Sequence, residues 1–242
     1  MTDPSSRGFA TTQWSLVRAA GRKQSNSGRQ ALAELFQRYW YPLYYFLRRK
    51  GCSNVEAEDV LQGFFLQSIE SDMLESADPD RGRFRTYLLT SLQNFLANDI
   101  RKMRAQKRGG SQPTFSLDFE SGEERYRREP VDTLTPEQAF ERQWAWTVID
   151  QATRRLTTEW SDTNRRLLFQ ALQPVLAGQS LTETYREIGD RLGLSETAVK
   201  VSAHRLRSRC AELIRSEIAE TVASADEVDD ELARLFDVLG RG

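Results

Sequence analysis

Apolar residues recur three and four positions apart along most of the chain, with no series of alternating strands, so helices are predicted throughout. A short apolar segment around Trp14, Leu16 and Val17 is followed by a polar break at 21–28. The next pattern predicts a helix over about 29–50, with Leu32, Leu35, Phe36, Tyr39, Leu43 and Leu47 on its buried side and a kink or break at Pro42. Gly51 ends that run. Ser53 and Glu56 then form a capping-box pattern, opening a helix to about Ser71. Its apolar side is Ala57, Leu61, Phe64, Phe65 and Ile69, and its other face carries Glu58, Asp59 and Gln62. A polar loop over 72–82 leads to a long helix over about 83–104, striped by Phe84, Leu88, Leu92, Phe95, Leu96, Ile100 and Met103. Three such helices can bury one shared core.

Residues 109–134 have few large apolar side chains and many acidic ones, which predicts an extended linker. Thr135, Pro136 and Gln138 then mark a helix start, and Phe140, Trp144, Val148 and Leu156 follow at helical spacing. A further helix is predicted over about 162–177, stopping near Gly178. Beyond it lies the spacing of a helix-turn-helix: a first helix at about 183–191, a turn at Gly193–Leu194, and a second helix capped by Ser195. Ile188, Leu192, Leu194, Val199 and Leu206 can share a small core. Gly193 suits a left-handed cap, and Gly189 allows the helices to approach closely. A basic helical hairpin with a merely solvated face is the bland alternative. The combination of turn, cap and basic second helix favours DNA.

The predicted fold is therefore all-α, with two small helical domains joined by an extended acidic linker. The boundaries read 1–28 as an N-terminal extension, 29–108 as the first domain, 109–134 as linker, 135–216 as the second domain and 217–242 as an acidic amphipathic extension. A hydrophobic content of 39% with 29% charged residues suits a soluble globular chain, and no apolar run approaches a bilayer span. The start of the chain lacks an apolar signal core, so a cytoplasmic protein without membrane insertion is expected. The net charge of −1 speaks against a nucleic-acid binder only in sum, because 101–108 (RKMRAQKR) is wholly basic among its charged positions while the linker and tail are acidic. Two distant cysteines and a single histidine give no metal-ligand pattern, and no metal or cofactor is expected. No nucleophile–base grouping stands out, so an enzyme is not expected.

Two motifs carry a family resemblance. Residues 57–67 (AEDVLQGFFLQ) with 84–102 (FRTYLLTSLQNFLANDIRK) resemble region two of bacterial RNA polymerase sigma factors of the extracytoplasmic-function subfamily. Residues 185–209 (YREIGDRLGLSETAVKVSAHRLRSR) resemble region four. With their flanking helices these cover about two-thirds of the chain. The resemblance implies a subunit that binds core RNA polymerase and promoter DNA, a monomer when free, for which an anti-sigma factor can exist. It implies core-polymerase docking by Glu58, Asp59 and Gln62. It implies minus-ten contacts from Arg81, Arg83, Arg85, Tyr87, Asn94, Asn98, Arg101 and Lys102, around a loop that holds a flipped-out base of the nontemplate strand. Phe84 fits the core better than a stacking platform. Minus-thirty-five contacts would come from Glu196, Thr197, Lys200, Ser202, His204 and Arg205, with Arg207 and Arg209 on phosphates. Asn98 stands where many relatives carry an acidic residue. The implied path of the linker is through the polymerase cleft.

A stand-alone helix-turn-helix regulator is the alternative, and an adaptor that only mimics a sigma factor is another. In the tail, Val228, Leu232, Leu235, Phe236 and Leu239 share one helical face beside Asp226, Glu227, Asp229, Asp230 and Glu231. Such a helix could fold back on a basic DNA-binding face, or simply pack on the second domain.

Overall fold

The computed structural model describes residues 13–21, 25–71, 73–78, 81–105, 119–129, 133–161, 163–222, 224 and 226–240. Among them are α1 (Gln13–Gly21), α2 (Asn26–Arg49), α3 (Asn54–Glu70), α4 (Phe84–Ala105), α5 (Phe119–Arg128), α6 (Pro136–Glu159), α7 (Thr163–Leu172), α8 (Tyr185–Leu192), α9 (Glu196–Ala219) and α10 (Glu227–Leu239), and no strand. The all-α expectation holds. Contacts divide the chain into two compact units, one of residues 1–146 with 219–242 and the other of 147–218.

In the first unit, α2 runs unbroken through Pro42 from a start capped by Ser25, whose side chain accepts the Gly28 N–H at 2.9 Å. The expected break is absent; burial of both flanks of this helix outweighs one missing hydrogen bond. Ser53 and Glu56 form the predicted capping box at the start of α3. Aromatic rings knit α2, α3 and α4 together. Phe36 stacks on Phe65 with centroids 4.1 Å apart, Tyr39 meets Phe84 edge-on at 5.6 Å, and Phe64 meets Phe95 at 5.8 Å. Phe84 is thus a core residue, as its position in the stripe suggests. Ile100 and Met103, also expected in the core, have side chains outside the described residues, as do Trp14 and Leu16 of the first apolar segment.

The linker differs from its expectation. Residues 119–128 form α5, which lies against α2. Glu123 is buried there, ion-paired with Arg48, 2.6 Å from the Tyr44 hydroxyl and 2.9 Å from Arg127 Nε. Tyr41 donates to Glu129 at 3.0 Å, and the Arg125 guanidinium stacks 3.9 Å from the Tyr41 ring centroid. Burial pushes the Tyr41 and Tyr44 phenols above their ordinary range, so both remain donors at neutral pH. This cover explains why the C-terminal half of α2 is buried all round from Tyr41 to Leu47. Acidic composition alone cannot reveal that one carboxylate of the segment meets a tyrosine–arginine pocket.

The second unit has its own core, in which Ala152 and Leu156 of α6 meet Phe169 of α7, Ile188 of α8 and Val199, Leu206 and Leu213 of α9. The expected single helix over 162–177 is instead α7 followed by a 3-10 turn at Gln173–Ala177. Pro174 lacks the N–H that would continue the α-helical ladder, and Gly178 closes the turn. Arg155 on α6 holds the buried Glu217 of α9 at 2.7 Å.

Candidate nucleic-acid interface

The second unit builds the succession of α8, turn and α9 from three local devices. Thr184 caps α8: its hydroxyl accepts the Glu187 N–H at 3.2 Å, while Glu187 Oε2 accepts the Thr184 N–H at 2.7 Å. Gly193 then adopts a left-handed conformation with φ 68°. The Leu194 N–H donates to the Gly189 carbonyl at 2.9 Å, closing the turn. Finally, the Ser195 hydroxyl accepts the Ala198 N–H at 3.1 Å and starts α9. The sequence reading found the glycine and serine but not the Thr184 box, although the pattern T-x-x-E at 184–187 was its signal. Thr184→Ala is expected to cost the unit about 1 kcal/mol, measurable by urea unfolding. Hydrogen bonds from Thr184 hold the Glu187 carboxyl below the ordinary carboxylate range. A depressed pKa means that its stabilisation is present above the ordinary range and lost as pH falls through the depressed value. Glu187→Gln should therefore reduce the acid sensitivity of the unit.

On α9 the exposed face carries Glu196, Thr197, Lys200, His204, Arg205 and Arg207, which share one unit and one helix as expected. Ser202 is only half-exposed, and Val201 at 44% exposure takes the more open position beside Lys200. Lys200 pairs with Glu196 at 2.7 Å, so that glutamate holds the lysine on the face. Arg209 is engaged elsewhere: its Nη2 and Nε lie 2.7 and 2.9 Å from the two oxygens of Glu159, and its Nη1 lies 2.8 Å from Glu212. It straps α9 to α6 rather than standing open toward a phosphate.

The first unit presents two further surfaces. On α3, Asp59 is exposed while Glu58 and Gln62 are half-exposed. Val55, 63% exposed one turn before Asp59, adds one apolar side chain to this face. Around the loop before α4, a recess of about 500 Å³ is lined by Ser76, Asp78, Arg81, Arg83, Thr86, Tyr87, Thr90 and, from α10, Glu227. Arg81 projects into solvent with Asp78 at 3.5 Å. Tyr87 is fixed by donating its hydroxyl to the Met73 carbonyl at 2.7 Å. Thr86 and Thr90, which the sequence reading did not select, continue at helical spacing into the exposed Asn94 and Asn98. The side chains of Arg101 and Lys102, and all of 106–118 after them, lie outside the described residues.

Arg83 and Arg85 depart from their expected setting. Arg85 is 1% exposed, 2.9 Å from Glu141 of α6, ion-paired with Glu231 of α10 and stacked 3.9 Å from the Trp144 ring centroid. Arg83 Nε lies 2.6 Å from the same Glu231. In this conformation Arg85 is a buried hub and is not open to DNA. The helix of the tail exists as predicted, but its buried residues are Glu231 and Leu235, while Phe236 is 57% exposed.

Among the described residues, no group of three or more His, Cys, Asp or Glu side chains could hold a metal ion, and no helix is long and apolar enough to cross a membrane. Burial pushes the Cys52 and Cys210 thiols up, which disfavours the reactive thiolates.

Residues 35–106, spanning most of α2 with α3 and α4, match the family Sigma-70 region 2. The match covers under a third of the chain. No curated protein and no solved structure matches the chain.

Proposed function

We propose that this chain is an RNA polymerase sigma factor of the extracytoplasmic-function kind, which docks on core polymerase, reads minus-ten and minus-thirty-five elements and promotes transcription initiation. The observation that carries the reading is the pairing of a region 2 match at 35–106 with a second compact unit in which α8, a left-handed Gly193 turn and the Ser195-capped α9 follow one another. In this reading Glu58, Asp59 and Gln62, with the apolar Val55 beside them, form the polymerase-docking face. The recess before α4 and the stripe from Thr86 to Asn98 receive the melted nontemplate strand, for which hydroxyls, cations and a tyrosine face supply polar and stacking contacts. The exposed side of α9 enters the major groove, where Lys200, His204, Arg205 and Arg207 divide between base edges and phosphates.

The test is reconstitution with bacterial core polymerase and sequencing of transcript starts on fragmented genomic DNA. Starts behind one shared two-part motif support the reading. Core binding without defined starts favours the adaptor, and tight duplex binding without polymerase favours the stand-alone regulator. Asp59→Lys should weaken core binding about tenfold or more, the scale of a lost charge complementarity at an interface, with thermal unfolding unchanged.

A further inference from the structure

Two arginines that the family resemblance assigns to the minus-ten strand, Arg83 and Arg85, already have an acidic partner within the chain. Glu231 of α10 is fully buried, with one oxygen 2.6 Å from Arg83 Nε and the other paired with Arg85. One helical turn earlier, Glu227 lines the recess that also holds Arg81, Arg83, Thr86 and Tyr87. Glu231 is held between the two guanidinium groups by charge, with neither of its oxygens accepting a hydrogen bond, so the pocket suits an anion such as a nucleic-acid phosphate. We propose that α10 is an internal stand-in for the nontemplate strand: Glu231 occupies a backbone-phosphate position at Arg83 and Arg85, Glu227 walls the recess, and α10 must leave for the strand to bind.

The way α10 is held suits an exchangeable element. Its buried residues are Glu231 and Leu235, and its largest apolar side chain, Phe236, stays mostly in water. Its other apolar residues, Val228, Leu232, Val238 and Leu239, are only half-buried, so the apolar hold is partial and the pairing of Glu231 adds to it. Pulling Glu231 away without replacement would leave two cations with reduced compensation, Arg85 among them at 1% exposure, which is unfavourable. A phosphate arriving as the carboxylate departs keeps both arginines paired. The released helix, with Asp226, Glu227, Asp229, Asp230 and Glu231, goes to water where its charges are well solvated. The exchange is thus close to balanced until polymerase docking presents the strand at high local concentration. Glu141 and Trp144 keep Arg85 oriented through the exchange, since both belong to α6 and not to the tail.

This inference rests on the sigma-factor reading, and the experiment separates the two. The probe is a labelled single-stranded oligonucleotide carrying the nontemplate sequence upstream of a mapped transcript start, added to the full chain in complex with core polymerase. Hydrogen exchange over 227–239 is followed in the unaltered chain, and affinity is compared with that of Glu231→Gln combined with Glu227→Gln. The proposal expects exchange over α10 to rise when the oligonucleotide binds, and the double variant to bind about tenfold tighter, a common size for coupling between two sites. Oligonucleotide binding with α10 still protected overturns the stand-in and leaves the sigma-factor reading intact. A double variant that binds no tighter, while folded by circular dichroism, also overturns it. Failure of the complex to form, or to start transcripts anywhere, removes the sigma-factor reading and this inference with it. Because the exchange measurement uses the unaltered chain, a variant that fails to fold does not rescue the proposal.

Discussion

Gly189→Ala is expected to destabilise the second unit by about 1–3 kcal/mol, the usual cost of forcing extra volume into a packed site, and to abolish recognition by α9. A Cβ at position 189 would lie 2.6 Å from the Leu194 carbonyl oxygen and 3.5 Å from the Glu196 backbone nitrogen. Both neighbours are backbone, so no rotamer change relieves the contact. The turn would have to open, and the Leu194 N–H would lose its 2.9 Å bond to the Gly189 carbonyl. The angle between α8 and α9 is set by that bond and by the left-handed Gly193, so the exposed face of α9 would be re-aimed even in the fraction that folds. Urea unfolding monitored at Trp160, which packs 6.2 Å from Phe169, reads the stability. Duplex footprinting of the polymerase complex over the upstream element reads recognition. An alanine variant with unchanged stability and footprint would show that the turn has slack that the contact denies.

Arg85→Ala should produce the larger loss in the first unit, about 3–5 kcal/mol, the scale seen when one partner of a buried ion pair is removed. The guanidinium is 1% exposed and binds Glu141 and Glu231 while stacking on Trp144, so its removal strips charge compensation from two carboxylates and leaves a void over an indole. Undocking of α10 into water offers an escape for Glu231, and its extent shows as faster hydrogen exchange over 227–239. Urea unfolding and exchange together separate the two routes. If Arg85 were an exposed strand contact, as the sequence suggests, its removal would leave stability within a few tenths of a kcal/mol.

The periodic signals were legible because they are local. Ser53 with Glu56, and Thr135 with Gln138, form the reciprocal caps that their spacing announces. Helices α2, α3 and α4 follow the apolar stripes, and Phe84 falls in the core where its stripe puts it. The tail helix was legible for the same reason. The face it buries was legible in part: Leu235 is buried and Val228, Leu232 and Leu239 are half-buried as their spacing suggests, while Phe236 stays exposed and Glu231, outside the apolar set, is buried. Likewise Pro42 announced a kink or a break, and packing on both sides kept α2 continuous through it, and an acidic segment that reads as linker became α5 once Glu123 met Arg48 and Tyr44.

By itself, then, the amino-acid sequence determined an all-helical chain, its main caps, the glycine turn between α8 and α9 and the region 2 stretch, because hydrogen bonds and apolar periodicity within a few residues specify them. Only the tertiary structure decided which charges are spent inside the protein. Arg85 with Glu231 and Glu141, and Arg48 with Glu123, each join side chains more than fifty positions apart. A charged residue becomes buried only where a distant partner compensates it, and that partner is supplied by the fold, not by neighbours in the chain.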